Sequence, residues 1–272
     1  MKLTCLLENT ASNSCLAAEH GLSVLVETKR HVVLFDSGAS RAFAENAKIM
    51  GIDLTRVDTA VLSHGHSDHG GGLPYFLKEN AQAKIYLRGS AFGEFISCRD
   101  GQSREISLPR ELFGEERLII QDTDLRLDEE LFLFGDVKNT EFSSFANRTL
   151  YVKEGTALRR DEFSHEQNLV VFDEGRTALL CGCSHSGIVN IIEAMRLRLG
   201  KYPNAAIGGF HLMQEEYSEE ELDLIRRMAA RLKTYPTVFY TCHCTGQKAF
   251  LQMREIMGEQ LQYFSGGDIL TL

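Results

Sequence analysis

Ser63-His64-Gly65-His66-Ser67-Asp68-His69-Gly70-Gly71-Gly72 sets three imidazoles and one carboxylate within positions 64–69. Such crowding is costly unless something binds the groups. Neutral imidazole nitrogens and a carboxylate oxygen are the ligands that zinc and similar divalent ions accept. The preceding run, Val57-Asp58-Thr59-Ala60-Val61-Leu62, is apolar and β-branched enough to be a buried strand. His64 and His66 lie two apart in its extended exit, so their side chains point to one side. Asp68 and His69 follow at a Gly-rich turn, which opens a helix predicted over Leu73 to Glu79. A lone histidine is ordinarily a surface or satisfied core residue, and a Gly run is ordinarily a turn. Four ligand-type residues in an H-x-H-x-D-H array at a strand end read instead as a metal-binding loop.

Upstream of this loop the chain is β-rich. Leu3 to Glu8 reads as a strand, and Leu22 to Glu27 with His31 to Phe35 reads as a hairpin around Thr28-Lys29-Arg30. Asp36-Ser37-Gly38 ends it, and a helix is predicted from Arg41 to Met50, stopped by Gly51. Downstream, strand and helix alternate. Asn168 to Asp173 and Thr177 to Cys181 form a second hairpin, followed by a helix over Gly187 to Leu199 and a strand at Ala205-Ala206-Ile207. A long helix over Ser218 to Lys233 carries a Ser218/Glu221 capping box. The strand Thr237 to Tyr240 and a helix over Gln247 to Met257 complete the pattern. A β-rich half followed by βαβ units implies two sheets between helical layers.

Three further histidines sit just after predicted strands: His185, His211 and His243. Strand ends are where α/β proteins collect site residues. Six of the nine histidines therefore lie at strand ends. Jointly they supply three protein ligands for each of two ions, with positions left open for water. Cys181-x-Cys183 and Cys242-x-Cys244 match structural zinc or iron–sulfur spacing less well than C-x-x-C. Burial at a strand end is the expected role of Cys181, while Cys183 could reach the metals.

The 272 residues, 43% hydrophobic and 25% charged, suit one large domain, and we expect a single unit over 1–272. A net charge of -9 argues against a nucleic-acid-binding surface but leaves room for a basic pocket holding one phosphate. No run of 18 apolar residues suggests a membrane span, and the N-terminal stretch lacks signal-peptide features. Seven cysteines without framework spacing suggest a reducing cytoplasm. The stretch from Gly89 to Asp161 is the least regular. It reads either as a lid or substrate-recognition insert or as a few more strands and connections.

With its H-x-H-x-D-H signature, the segment Leu34-Phe35-Asp36-Ser37-Gly38 and the later strand-end histidines, the chain resembles the metallo-β-lactamase superfamily. Glu19-His20-Gly21-Leu22-Ser23, Asn46-Ala47, Gly182-Cys183-Ser184-His185, Gly209-Phe210-His211-Leu212 and His243-Cys244-Thr245-Gly246 narrow the resemblance to one subgroup. Its archaeal members include dihydropterin ribofuranosylaminobenzene phosphate synthases. The resemblance implies an α/β fold, a four-layered αββα sandwich. It implies that His64 and His66 bind a first ion with His185 as third ligand, and that Asp68 and His69 bind a second with His243. Asp36 matches a position that supports the metal loop through hydrogen bonds. Where most members have a bridging Asp, this chain has Cys183, and no Gly-His motif precedes that strand; His165 is nearby but sits before it. His211 is left as a ligand or a substrate contact.

The leading expectation is a metal-dependent hydrolase acting on an ester, lactone, thioester or phosphoester of a small molecule, phosphorylated substrates included. Two divalent ions, zinc first with iron or manganese as alternatives, would make hydroxide available at neutral pH by lowering the pKa of water from 15.7 to about 7. Asp68 would orient it and pass a proton to the leaving group, and His211 would donate to an oxyanion or phosphate. Two alternatives stand beside it. One is a pterin-condensing synthase that joins a dihydropterin pyrophosphate to a ribosylaminobenzene phosphate. The other, of a different class, is a redox or ligand-sensing di-iron protein.

Overall fold

The computed structural model describes every residue except Asp100. The first third runs β1 (Lys2–Leu7), β2 (Ser23–Glu27), β3 (Val32–Phe35), α1 (Ala42–Ile49), β4 (Thr59–Val61), α2 (Ser67–Gly70), α3 (Leu73–Glu79) and β5 (Lys84–Leu87). The middle adds β6 (Glu94–Arg99), β7 (Gln102–Glu105), β8 (Leu118–Ile120), β9 (Leu125–Arg126), β10 (Leu131–Gly135), β11 (Leu150–Glu154) and β12 (Ala157–Arg160). The last third comprises β13 (Gln167–Asp173), β14 (Arg176–Leu180), α4 (Ile188–Leu199), β15 (Ala205–Gly208), α5 (Glu219–Leu232), β16 (Val238–Thr241), α6 (Gln247–Met257), β17 (Leu261–Tyr263) and β18 (Ile269–Thr271).

Two seven-stranded sheets result, ordered β18-β1-β2-β3-β4-β5-β8 and β17-β16-β15-β14-β13-β10-β9. Strands alternate between two buried faces, which is why they read as near-continuous apolar runs. Val24, Val26, Val33 and Phe35 of the first sheet cluster with Leu169, Val171, Ala178 and Leu180 of the second. The intervening residues Leu25, Leu34 and Ala60 turn outward to Phe43, Ala47 and Phe76 of α1 and α3. On the other side Val170, Leu179 and Ala206 meet Ile191, Met228 and Met253 of α4, α5 and α6. The order of layers is helix, sheet, sheet, helix. Each buried Val, Leu or Phe contributes roughly 1.5–3 kcal/mol relative to exposure, before conformational entropy is counted.

Several local expectations shift. The strand before the histidine cluster is regular only over Thr59–Val61, since the Val57 N–H is still bonded to Leu54 O as the cap of a 3-10 turn over Leu54–Arg56. Its ladder continues beyond both ends through Asp58 N–H to Val32 O (3.0 Å) and Leu62 N–H to Tyr86 O (3.0 Å). Asp68 and His69 sit inside the short helix α2 rather than in a turn. The Ser218–Glu221 capping box is present. The stretch 89–161 divides. β8 extends the first sheet, β9 and β10 extend the second, and β6, β7, β11 and β12 form a separate antiparallel sheet ordered β12-β11-β6-β7. Among the described residues, no helix is long and apolar enough to cross a membrane.

Candidate metal centre

The site is assembled from strand ends. His64 and His66 leave β4, Cys183 and His185 follow β14, His211 follows β15, and His243 and Cys244 follow β16. β4 runs parallel to β3 and β5, and β14, β15 and β16 run parallel to one another, so these are carboxyl ends of parallel strands. The backbone there is under strain. Asp36, Ser184, His211 and His243 adopt φ values of 58°, 54°, 51° and 50°. Such conformations cost non-glycine residues about 1–3 kcal/mol each and cluster where function requires them. Gly182 has no room for a side chain, since a methyl group there would run into Ser63 and His64.

One group of donors forms around His64 and His185, whose Nε2 atoms stand 3.4 Å apart. Their Nδ1 atoms are already engaged. His64 Nδ1–H donates to Ser63 Oγ (2.8 Å), which itself donates to Asp36 Oδ2 (2.7 Å). His185 Nδ1–H donates to Asn147 Oδ1 (3.0 Å), and Glu166 Oε1 accepts from the His185 backbone N–H (2.6 Å). Both Nε2 lone pairs therefore face inward. The His66 ring lies 4.6 Å from that of His64 and 5.1 Å from that of His185. The Sγ of Cys183 lies within 4.8 Å of the ligand atoms of His64 and His185.

A second group repeats the pattern. His69 Nε2 is 3.2 Å from His243 Nε2 and 3.2 Å from Cys183 Sγ. Asp68 Oδ2 is 3.4 Å from His243 Nε2 and 3.7 Å from His69 Nε2. His69 Nδ1–H donates to Asp36 Oδ2 (2.6 Å), and His243 Nδ1–H donates to Asn9 Oδ1 (2.8 Å). Cys183 thus belongs to both groups. Outer hydrogen bonds that fix the tautomer and aim Nε2 inward are characteristic of metal-binding histidines.

Electrostatics follow from this burial. Burial, reinforced by the neighbouring rings, pushes His64 and His185 well below the ordinary imidazole range. Burial also brings His243 down to about 3, although Asp68 works against it. These rings stay neutral, as a cation requires. Burial opposes protonation of His69, but Asp36 and Asp68 outweigh it and raise that ring to about 9. Burial alone would lift the Asp68 carboxyl, yet His69, His20 and His243 hold it well below the usual range. Burial, with Cys244 beside it, raises the Cys183 thiol.

Other histidines take different places. His165 is buried beside the cluster, but Gly65 N–H donates to its Nδ1 (2.9 Å) and its Nε2–H donates to Asp161 Oδ2 (3.0 Å). Both ring nitrogens are engaged. Asp161 also lies 3.7 Å from His66 Nε2, and nothing in its local sequence pattern singled it out. Asn147 and Asn9 equally escape sequence reasoning, because amides at loops carry no periodic signal. The His211 ring is buried, 4.3 Å from that of His185, and neither of its nitrogens has a hydrogen-bond partner among the described residues. Cys181 and Cys242 point into the two cores, whereas Cys244 shares a ligand-sized group with Cys183 and His211. No four-thiolate site is formed among the described residues.

The donors open onto a cavity of about 550 Å³. His66, Asp68, Cys183 and His211 form its floor, and the β6–β7 hairpin forms one wall. The hairpin is stapled to the metal loop by Ser67 N–H to Ile106 O (2.8 Å). Phe95 of β6 packs edge-on against His66 at 5.3 Å.

Residues 17–139 match the family model of the metallo-beta-lactamase superfamily. The chain is 27% identical over 286 residues to a Methanocaldococcus jannaschii protein, covering 99% of this chain and 96% of that one. That protein is named 7,8-dihydropterin-6-methyl-4-(beta-D-ribofuranosyl)-aminobenzene-5'-phosphate synthase. The crystal structure of Tm1679, a metal-dependent hydrolase of the beta-lactamase superfamily, superposes with a TM-score of 0.81 at 27% identity, covering 100% of this chain and 99% of that one. Zinc-bound PqqB from Methylobacterium extorquens shares the fold alone, with a TM-score of 0.60 at 10% identity over the full length of both chains. The H-x-H-x-D-H loop, the layered fold and these matches together make the chain similar to the metallo-beta-lactamase superfamily, whose family model matches residues 17–139.

Proposed function

We propose that this protein is a metal-dependent hydrolase of a small-molecule ester, lactone, thioester or phosphoester. The observation that carries the reading is the convergence of inward Nε2 atoms, each with its Nδ1 tied to an oxygen, around the Cys183 thiol and the Asp68 carboxylate. In this reading His64, His66 and His185 hold one divalent ion, Asp68, His69 and His243 hold a second, and Cys183 lies between them. Zinc suits this set, and iron or manganese are the alternatives. Divalent ions held there supply water that is acidic near neutral pH and polarise a carbonyl or phosphoryl oxygen.

The chain's own residues do the rest. Asp68, kept ionised by the rings around it, accepts a hydrogen bond from the attacking water and orients it. A proton released at Asp68 Oδ2 has a route to solvent through His20, whose Nε2 is 3.3 Å away and whose side chain is more than half exposed. His211, brought down to about 3 by burial with His66 and Arg99 adding to it, stays neutral. Its ring N–H is free to donate to the oxygen on which negative charge develops. The leaving oxygen or sulfur takes the first of the water's two protons from Asp68 and leaves through the mouth of the cavity, or stays tethered to the product when the substrate is a lactone; the second proton follows the His20 route.

The likeness to the M. jannaschii synthase supports a second reading, a pterin condensation in which the same centre holds a pyrophosphate leaving group. Pterin fluorescence of the purified protein, and product formation from the two partners, would favour it over hydrolysis. The primary test is elemental analysis and ester turnover of wild type and His66→Ala together. The variant is expected to lose both metal and activity. Full turnover by a metal-free His66→Ala protein overturns the reading.

A further inference from the structure

One wall of the cavity carries charge that neither the metal centre nor the proposed hydrolysis uses. β6 and β7 pair in antiparallel register, with Ser97 opposite Arg104 and Arg99 opposite Gln102. Side chains two apart on a strand share a face, so Ser97, Arg99, Gln102 and Arg104 project together. All four line the cavity above the metal centre. Phe95, on the same face at the base of the hairpin, is buried against His66 and His165, with ring centroids at 5.3 Å and 4.1 Å. This contact ties the hairpin's orientation to the metal loop. The opposite face carries Glu94, which pairs with Lys153 at 2.9 Å. The acidic group is thus turned away from the cavity and the two guanidinium groups into it. Among the described residues neither arginine has a carboxylate partner, and Arg99 Nε donates only to Thr149 Oγ1 (3.4 Å). In a chain of net charge -9, these two exposed arginines make one cavity wall locally positive, a potential that attracts anions. His211, assigned above to the reacting bond, lines the floor of the same cavity, so the hairpin wall and the reacting centre face one shared space.

We infer that Arg99 and Arg104 bind a phosphate group on the substrate, at the end remote from the bond that reacts. The inference rests on the small-molecule reading above for the chemistry at the metals, and adds the substrate class. Diagonal neighbours on paired strands lie roughly 7–8 Å apart, a spacing from which two flexible arginines reach one anion. A phosphate offers three terminal oxygens to two planar forks, whereas a single fork saturates a carboxylate. The protein therefore selects phosphorylated small molecules over neutral or carboxylated ones of the same size.

The test is calorimetric titration of the metal-loaded protein with phenyl phosphate and with benzoate, in wild type, Arg99→Gln, Arg104→Gln, the double variant and Arg99→Lys. Elemental analysis of each variant verifies that its metals are retained. Phenyl phosphate affinity is expected to fall about tenfold for each guanidinium removed, with partial recovery in Arg99→Lys. Unchanged affinity in the double variant, or no binding by wild type, overturns the inference, because the phosphate would then sit on the metals or nowhere. Equal affinity for benzoate overturns the assignment to phosphate. The result does not depend on turnover. Arginine-dependent binding without ester hydrolysis would leave the phosphate subsite standing and remove the hydrolase reading.

Discussion

His64 Nε2 and His185 Nε2 face each other at 3.4 Å across 121 residues of sequence, each with its Nδ1 proton already committed elsewhere. Two lone pairs held this close repel unless a cation lies between or beside them. His165, equally buried and nearer in sequence to β13, has no free nitrogen. His185→Ala is therefore expected to lose about one metal ion per chain. His165→Ala is expected to keep the stoichiometry and weaken affinity about 10–100-fold, as outer-shell changes do. Elemental analysis with chelator competition measures both; the reverse order of effects would exchange the roles of the two residues.

Asp36 accepts from Ser63 N–H (2.7 Å), Ser63 Oγ (2.7 Å) and His69 Nδ1 (2.6 Å), and so orients ligands in both groups at once. Asp36→Asn replaces one acceptor oxygen with a donor facing donors. We expect metal affinity to fall about 10–100-fold. Competition against a chromogenic chelator reads the change, and an unaltered affinity would show that the imidazoles orient themselves.

Cys183 lies in both donor groups, where binding to a cation would displace its thiol proton to solvent. Cobalt-substituted wild type is expected to show thiolate-to-metal charge-transfer absorption in the near ultraviolet. The band should vanish in Cys183→Ser and persist in Cys181→Ser, whose thiol is packed in the core. A spectrum unaffected by Cys183→Ser would move the thiol out of the coordination sphere.

Far from the centre, His31 joins the two sheets, with Nδ1 2.8 Å from Asp58 and Nε2 2.6 Å from Asp128. Partial burial works against its charge, but the two carboxylates prevail and raise its pKa. The stabilisation is complete below the unfolded value of about 6.5 and is lost as pH rises through the higher folded value. Wild type should exceed His31→Gln by about 1 kcal/mol at low pH, discounted for solvent screening, with the gap closing as the pH becomes alkaline. Denaturant unfolding across that range measures it; a gap that widens with pH would contradict the assignment.

Much of this architecture could be read along the chain. Val24, Leu25 and Val26 show why: alternate residues enter different cores, so a buried strand is apolar on both faces and recognisable over a few positions. The H-x-H-x-D-H loop and the histidines at 185, 211 and 243 were legible for the same reason, since residue type and strand-end position are local properties. Asp161, Asn9 and Asn147 were not, because a polar residue in an irregular loop looks the same whether it meets solvent or a buried imidazole. The engagement of His165, the inward rotation of His185, the double membership of Cys183 and the shared face of Arg99 and Arg104 arose only on folding. Sequence determines backbone periodicity and the chemical identity of the donors over short spans. Which donors face one another depends on the packing of two twisted sheets and on tautomers set by hydrogen bonds between strands more than a hundred residues apart.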